Sequence, residues 1–141
     1  MFFNRGRILL LVSATLVMTI RCTEESEEPG KCHDPTLISG DIELRIENVS
    51  NFHYENIQVN TSGGEHNFCD LAPGETSIYK RFVLAYRYGR VELTIDRDTF
   101  ILQPIDYVGE IPLDPGKHSY LIDASEDGTR FGRLQLSYRK D

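Results

Sequence analysis

The stretch Asp41-Ile42-Glu43-Leu44-Arg45-Ile46-Glu47 decides the fold class. Its apolar residues, at positions 42, 44 and 46, alternate strictly with charged residues. Because successive side chains of a β-strand point to opposite faces, this pattern places one face of the strand in a core and the other in water. Such half-buried strands are typical of antiparallel sheets that have one solvated face. We therefore predict a β-strand over residues 41–47.

Further short strands are predicted along the rest of the chain, separated by turn residues. They lie around residues 52–59, 66–69, 77–87, 91–95, 99–102, 119–122 and 131–138. Pro73-Gly74 predicts a type II turn, and residues 97–98 are expected to turn the chain between two strands of a hairpin. Residues 82–85 are all apolar, which predicts burial on both faces or a bulge.

No segment after residue 21 has the 3.6-residue periodicity of an amphipathic helix. About seven or eight short strands at regular spacing predict an all-β protein, an antiparallel β-sandwich. An immunoglobulin-like arrangement is the first expectation, and a transthyretin-like arrangement is the alternative.

The length and charge of the chain restrict its class. Its 141 residues suffice for one domain and a leader. The net charge is −7, and residues 1–21 hold three arginines and no acid, so the remainder carries −10. An acidic surface repels phosphate backbones, which argues against nucleic-acid binding and against docking on an anionic lipid surface by charge alone.

The N-terminus has the pattern of a signal peptide over residues 1–21. Arg5 and Arg7 precede a run of 13 apolar and small residues, at positions 8–20. A helix that spans a bilayer needs about 20 such residues, so this run fits the apolar region of a signal peptide better than a membrane helix. A buried N-terminal helix is the alternative interpretation.

Cys22 follows this run and is followed by the acidic stretch Thr23-Glu24-Glu25-Ser26-Glu27-Glu28. The junction resembles the lipidated cysteine and acidic export tether of Bacteroidetes-type surface lipoproteins, although Arg21 and Thr19 replace the small residue and the leucine usual there. The resemblance implies a lipid on Cys22, a flexible tether over residues 22–31, and a place at the outer membrane or cell surface. Ordinary cleavage nearby, giving a soluble periplasmic or secreted protein, is the alternative.

Two further cysteines, Cys32 and Cys69, are predicted to form a disulfide in an exported domain that spans residues 32–141. The bridge would stabilise the fold by about 3 kcal/mol. Zinc held by these cysteines with His33 and His66 is the weaker alternative, because adjacent Cys-His is poor spacing for two ligands. A calcium-like stretch at 123–128 lacks its closing acid, since position 134 is leucine. We expect no metal and no cofactor.

Three segments of the body carry a second resemblance: Ile46-Glu47-Asn48-Val49-Ser50, Leu71-Ala72-Pro73-Gly74-Glu75-Thr76-Ser77 and Pro104-Ile105-Asp106-Tyr107-Val108-Gly109-Glu110. Together they resemble small exported lipoproteins of Bacteroidetes whose function is not assigned, over roughly residues 40–138. The resemblance implies an immunoglobulin-like or transthyretin-like sandwich. Its motifs are turn and strand-edge residues, so it implies no active site.

The chemistry-bearing residues favour binding over catalysis. The chain has no G-x-S-x-G or H-E-x-x-H motif, and no catalytic residue is predicted. Exposed Tyr and Arg are favoured in interfaces, which makes Tyr86, Arg87, Tyr88 and Tyr107 candidate ligand-binding residues. Half-buried strand tyrosines are the ordinary alternative. We predict a non-catalytic binding or accessory module for an envelope protein or glycan; a self-associating structural envelope protein and a small hydrolase are the alternatives.

Overall fold

A computed structural model of the protein describes residues 39–105 and 108–141. The predicted signal peptide, Cys22, the tether and Cys32 lie outside the described residues, and so does Tyr107. The described part holds eight β-strands and no helix: β1 Ile42–Asn48, β2 Glu55–Asn60, β3 Glu65–Asn67, β4 Lys80–Phe82, β5 Arg90–Ile95, β6 Asp98–Leu102, β7 Gly116–Ala124 and β8 Leu134–Lys140. The all-β prediction is confirmed.

The eight strands form two sheets of four, in the orders β4-β1-β7-β8 and β3-β2-β5-β6. Strands β1 and β7 run parallel, in register from Ile42 opposite Gly116 to Asn48 opposite Ile122. The other pairings between these strands are antiparallel. The expectation of a purely antiparallel sandwich was therefore wrong for one pair. Alternation within β1 predicts which face is buried, and it carries no information on the direction of a partner far along the chain.

The strand order tests the immunoglobulin-like expectation. An immunoglobulin sandwich pairs its first and second strands within one sheet. Here β1 and β2 belong to opposite sheets. The immunoglobulin-like order is therefore not found among the described strands.

The core lies between the two sheets and follows from the alternation in their strands. Leu44 and Ile46 of β1 and Val91 and Leu93 of β5 are fully buried, while their neighbours in sequence are half-buried. Burying each such side chain stabilises the fold by about 1.5–3 kcal/mol. The strictly alternating segments of the sequence thus supply the two inner faces, as predicted.

The two turns predicted from Pro, Gly and charged residues are present. Gly74 has φ +77°, and the Glu75 amide donates to the Ala72 carbonyl at 3.0 Å, which closes a type II turn. In the β5–β6 hairpin, Asp96 and Arg97 both have positive φ, as a type I′ turn requires. The centre of that turn is one residue earlier than predicted.

Two predicted strands are shorter than expected. The segment 77–87 contains only the three-residue strand β4, because the chain leaves the sheet at Val83, whose amide donates to the Gly63 carbonyl at 3.1 Å. Val83 is consequently 65% exposed, so burial on both faces was wrong at that position. The last strand begins at Leu134, and Phe131 is exposed in the loop before it.

Asn48, at the end of β1, is a polar residue built into the core. Its side-chain amide donates to the carbonyls of Phe52, Leu71 and Ala72 at 2.7, 3.1 and 3.1 Å. Its Oδ1 accepts hydrogen bonds from the amide and the hydroxyl of Ser50. Because Asn48 is only 1% exposed, all of these bonds are shielded from water. The residue ties the β1–β2 turn to the turn that follows Leu71.

Candidate functional site

Two connections between strands, β4–β5 and β6–β7, lie side by side. The Leu113 amide of the second donates to the Ala85 carbonyl of the first at 2.9 Å. Hollows at the surface are lined by residues from both connections. We call this region the loop surface, defined as residues 83–88, 103–105 and 108–115. It contains the described residues that the sequence put forward for ligand binding.

Three of the four candidate residues lie in the described part of the chain, and they differ in position and exposure. Arg87 is exposed and lines one hollow of the loop surface. Tyr88 is half-buried and lines another, with Pro104 and Ile105. Tyr86 is half-buried, and its carbonyl accepts a hydrogen bond from the Tyr120 hydroxyl at 2.7 Å. Arg87 and Tyr88 therefore reach the loop surface in different hollows, while Tyr107 lies outside the described residues.

The loop surface also presents aliphatic side chains to solvent. Ile105, Val108 and Ile111 are 100%, 87% and 81% exposed, and Val83 is 65% exposed. Sequence reasoning did not select these residues, because isoleucine and valine are usually strand residues that face a core. Pro104 and Pro112 are the sequence signal that could have identified them. Both prolines disfavour a strand, so apolar residues between them are less easily assigned to the buried face of a sheet.

The hollow beside Arg87 has a volume of about 420 Å³. We call it the Arg87 hollow. Its polar lining comes from several elements, and its apolar lining comes from the β6–β7 connection; the residues with ionisable or aromatic side chains are Arg87, Glu110, Asp114, His118, Tyr138 and Lys140. A pocket of this size lies within the range of natural sites for small ligands.

His118 forms the buried base of the Arg87 hollow, with 1% of its surface exposed. Its Nε2 lies 2.9 Å from the Asp114 carbonyl oxygen, and its Nδ1 lies 2.8 Å from the Tyr138 hydroxyl. Because a carbonyl can only accept, Nε2 donates to it, and in the neutral ring Nδ1 accepts from Tyr138. Both ring nitrogens are thus engaged by a backbone carbonyl and a phenol, and neither contacts a side-chain carboxylate.

A stacked series of three side chains forms one wall of the hollow. The rings of His118 and Tyr138 stack at 5.8 Å with 28° between their planes. The Arg87 guanidinium carbon lies 5.9 Å from the centre of the Tyr138 ring. Within residues 39–105 and 108–141, Arg87 makes no salt bridge. Its donors are therefore available for a ligand.

A second polar cluster lies on the outer face of the β4-β1-β7-β8 sheet and is closed on itself. Asp141 accepts hydrogen bonds from the hydroxyls of Ser119 and Tyr79, both at 2.7 Å, and from Arg139 at 3.0 Å. Burial alone would raise the pKa of Asp141, but these bonds and the nearby Arg45 lower it to about 2. Arg139 also binds Glu47 through both terminal nitrogens. The cluster satisfies its own charges, which indicates a structural role.

The remaining predicted site residues concern cysteines and metals. Cys69 has φ +67°. Its expected partner, Cys32, lies outside the described residues, so the pairing stays a prediction. Across 39–105 and 108–141, no three His, Cys, Asp or Glu side chains are grouped as metal ligands. No helix in this part of the chain is long and apolar enough to cross a membrane.

The fold defines the class of protein: an all-β domain with two sheets of four strands. No known protein family, no curated protein and no solved structure matches this chain.

Proposed function

We propose that this protein is an exported, lipid-anchored, non-catalytic binding module whose loop surface docks on another component of the cell envelope. The observation that carries the proposal is the group of exposed aliphatic side chains Ile105, Val108 and Ile111 on one connection. Single apolar residues on a surface are ordinary, whereas a group on one loop is typical of an interaction site. The connection, at 13 residues, is also longer than most within a compact domain.

The energetics of this group are adequate for a docking anchor. Burying one isoleucine or valine side chain contributes about 1.5–3 kcal/mol, so three contribute roughly 5–9 kcal/mol. Association itself costs on the order of 4–15 kcal/mol in lost freedom of motion. The aliphatic group can therefore offset much of that cost, and polar contacts around it would supply the remainder and the specificity.

Export and anchoring rest on the leader and the cysteines. The 13-residue apolar run, Cys22 directly after it and the acidic stretch behind Cys22 favour delivery by a signal peptide and attachment through lipid. The predicted pairing of Cys32 with Cys69 would agree with an oxidising compartment. The eight residues from Thr23 to Gly30 reach roughly 25 Å when extended, which keeps the domain close to envelope neighbours.

The arrangement around His118 supports a binding role over hydrolysis. A histidine that acts as general base needs a nitrogen directed at the proton it abstracts, and a partner that orients its ring. Both nitrogens of His118 are engaged within the fold, by Asp114 and Tyr138. Its role here is to hold the wall of the Arg87 hollow in place.

Site-specific photocrosslinking in intact cells tests the docking surface. A photoreactive amino acid is placed at 105, at 111 or, as a matched control, at Ile78, an isoleucine that is 76% exposed outside the loop surface. We expect one envelope protein or glycoconjugate to crosslink from 105 and 111 and not from 78. Ile105→Ser should reduce the yield from position 111, since it removes apolar contact area from the interface.

Other outcomes separate the alternatives. Equal crosslinking from all three positions, or none from 105 and 111, would contradict a docking role for the loop surface. Crosslinks between copies of this chain, together with a dimer in sedimentation, would favour the self-associating structural protein instead.

A further inference from the structure

We propose that the Arg87 hollow binds a sugar unit that bears a single carboxylate, of the uronic acid type, within an envelope glycan. This inference deepens the proposed function, since it names a ligand for the loop surface of a binding module. It rests on the side chains that line the hollow, the charges they carry and the contacts that hold them.

Two cations of the hollow can bind the carboxylate. The Arg87 guanidinium offers a planar fork of donors that matches a carboxylate bidentately. Its charge is not neutralised by any described residue, since its contact is the ring face of Tyr138. Lys140 adds a second cation, whose Nζ lies 3.5 Å from Asp114 Oδ2. Because that contact is long and both side chains are more than half exposed, it leaves the ammonium open to a ligand.

Two acids in the same lining restrict the charge of the ligand. Glu110 and Asp114 line the hollow together with the two cations. Their charges disfavour a phosphate dianion more than a carboxylate, because the dianion carries twice the negative charge. Carboxylates accept hydrogen bonds, so they suit the hydroxyl groups of a sugar. The lining therefore favours one negative charge accompanied by several hydroxyl donors.

The remaining lining suits the body of a sugar ring. Ile111, Pro112 and Leu113 give the hollow an apolar side, against which the C–H face of a sugar can pack. The volume of about 420 Å³ is sufficient for a small ligand of this kind. The Arg87 wall is held in place by Tyr138, which His118 fixes through a hydrogen bond and a stacked ring. Such a preorganised wall lowers the cost of ordering on binding.

Calorimetric titration of the full chain, purified in a neutral detergent, tests the inference. The ligands are methyl glucuronide, methyl glucoside, which lacks the carboxylate, and glucose 6-phosphate, which carries a phosphate. We expect the glucuronide to bind at least tenfold more tightly than either of the other two. Arg87→Gln should weaken glucuronide binding tenfold or more, and Lys140→Gln should weaken it severalfold. Arg97→Gln, which changes an exposed arginine at the tip of the β5–β6 hairpin, should leave the affinity unchanged.

Several results would overturn the assignment. Equal affinity for glucuronide and glucoside, tighter binding of the phosphate, no detectable binding, or full affinity in the Arg87→Gln protein would each contradict it. A short peptide with a free C-terminal carboxylate that bound more tightly than the glucuronide would assign the hollow to peptides instead.

Since Arg87 is exposed, thermal unfolding should show the variants to be folded. Crosslinking from Ile111 is measured independently, so docking can persist where sugar binding fails, and the two failures are distinguishable.

Discussion

Replacing Asn48 by aspartate should destabilise the fold strongly although the change is nearly isosteric. The substitution puts an oxygen where the side-chain amide now donates to three carbonyls, those of Phe52, Leu71 and Ala72. At neutral pH a carboxylate would face these carbonyls in a site that is 1% exposed. One carboxylate oxygen would keep the two Ser50 donors that Oδ1 has now, whereas the other would face carbonyls and have no donor, which leaves the buried charge only partly compensated.

The magnitude follows from the partners that the three carbonyls retain. The Leu71 carbonyl still accepts from the Tyr54 amide, and the Ala72 carbonyl still accepts from the Glu75 amide. The loss of the side-chain hydrogen bonds therefore costs about 1 kcal/mol for each carbonyl, and desolvation of the carboxylate adds to this. We expect a total loss of about 3–5 kcal/mol, which is a large part of the stability of an ordinary domain.

Urea unfolding followed by circular dichroism measures this loss. Asn51→Asp, in the same turn but exposed, is the matched control and should change stability by less than about 0.5 kcal/mol. Burial raises the pKa of the new carboxyl in the folded state above its value in the unfolded state. The loss of stability should therefore be present above the unfolded-state pKa, and it should shrink as the pH falls and the carboxyl is protonated in the folded protein. A loss below about 1 kcal/mol, or an equal loss in the control, would refute the role assigned to Asn48.

Three further predictions concern the rest of the described fold and its cysteines. The pKa of Asp141 is lowered from 3.8 to about 2, so the stability that its carboxylate contributes is present above pH 4 and is lost as the pH falls toward 2. Asp141→Asn should therefore lower the free energy of unfolding at pH 6 and lower it less at pH 2, as measured by matched urea titrations. Gly63→Ala should lower the stability of the fold by about 2 kcal/mol or more, because a Cβ at Gly63 would lie 2.2 Å from the backbone nitrogen of Leu84. Thermal unfolding measures this loss, and a wild-type melting temperature would contradict the close packing at Gly63. Thiol labelling of the denatured, unreduced protein should find Cys32 and Cys69 blocked until a reductant is added, and labelling of both before reduction would refute their pairing.

Alternation and turn chemistry predicted much of the fold. In β1 and β5, the residues expected to face the core are the buried ones. Pro73-Gly74 forms the expected type II turn. These features depend on neighbours in sequence, so a local pattern suffices to predict them.

The features that were not predicted depend on contacts far along the chain. The parallel pairing of β1 with β7 joins residues more than 70 positions apart, and alternation does not record it. Val83 was predicted to lie in a strand, but its side chain is exposed. Its amide donates to the Gly63 carbonyl at the point where the chain leaves the sheet.

The candidate site was predicted only in part, for the same reason. Arg87 and Tyr88 were selected for their residue type, and both reach the loop surface. His118 was not selected, since it stands inside a strand among buried residues and its partners come from Asp114 and β8. The exposed Ile105 and Ile111 were not selected because residue type alone assigns isoleucine to a core. Tertiary contacts bring these residues to one surface, and residue type alone does not show that.

We propose that a lipid on Cys22 holds the domain at a membrane, where it binds a neighbour. Fractionation of cells grown with a labelled fatty acid tests it directly, comparing the wild type with Cys22→Ala. We predict that the wild-type protein carries the label and sediments with membranes, and that Cys22→Ala carries no label and shifts to the soluble fraction. An unlabelled wild-type protein, or a Cys22→Ala protein that remains in the membrane fraction to the same extent, would contradict the claim.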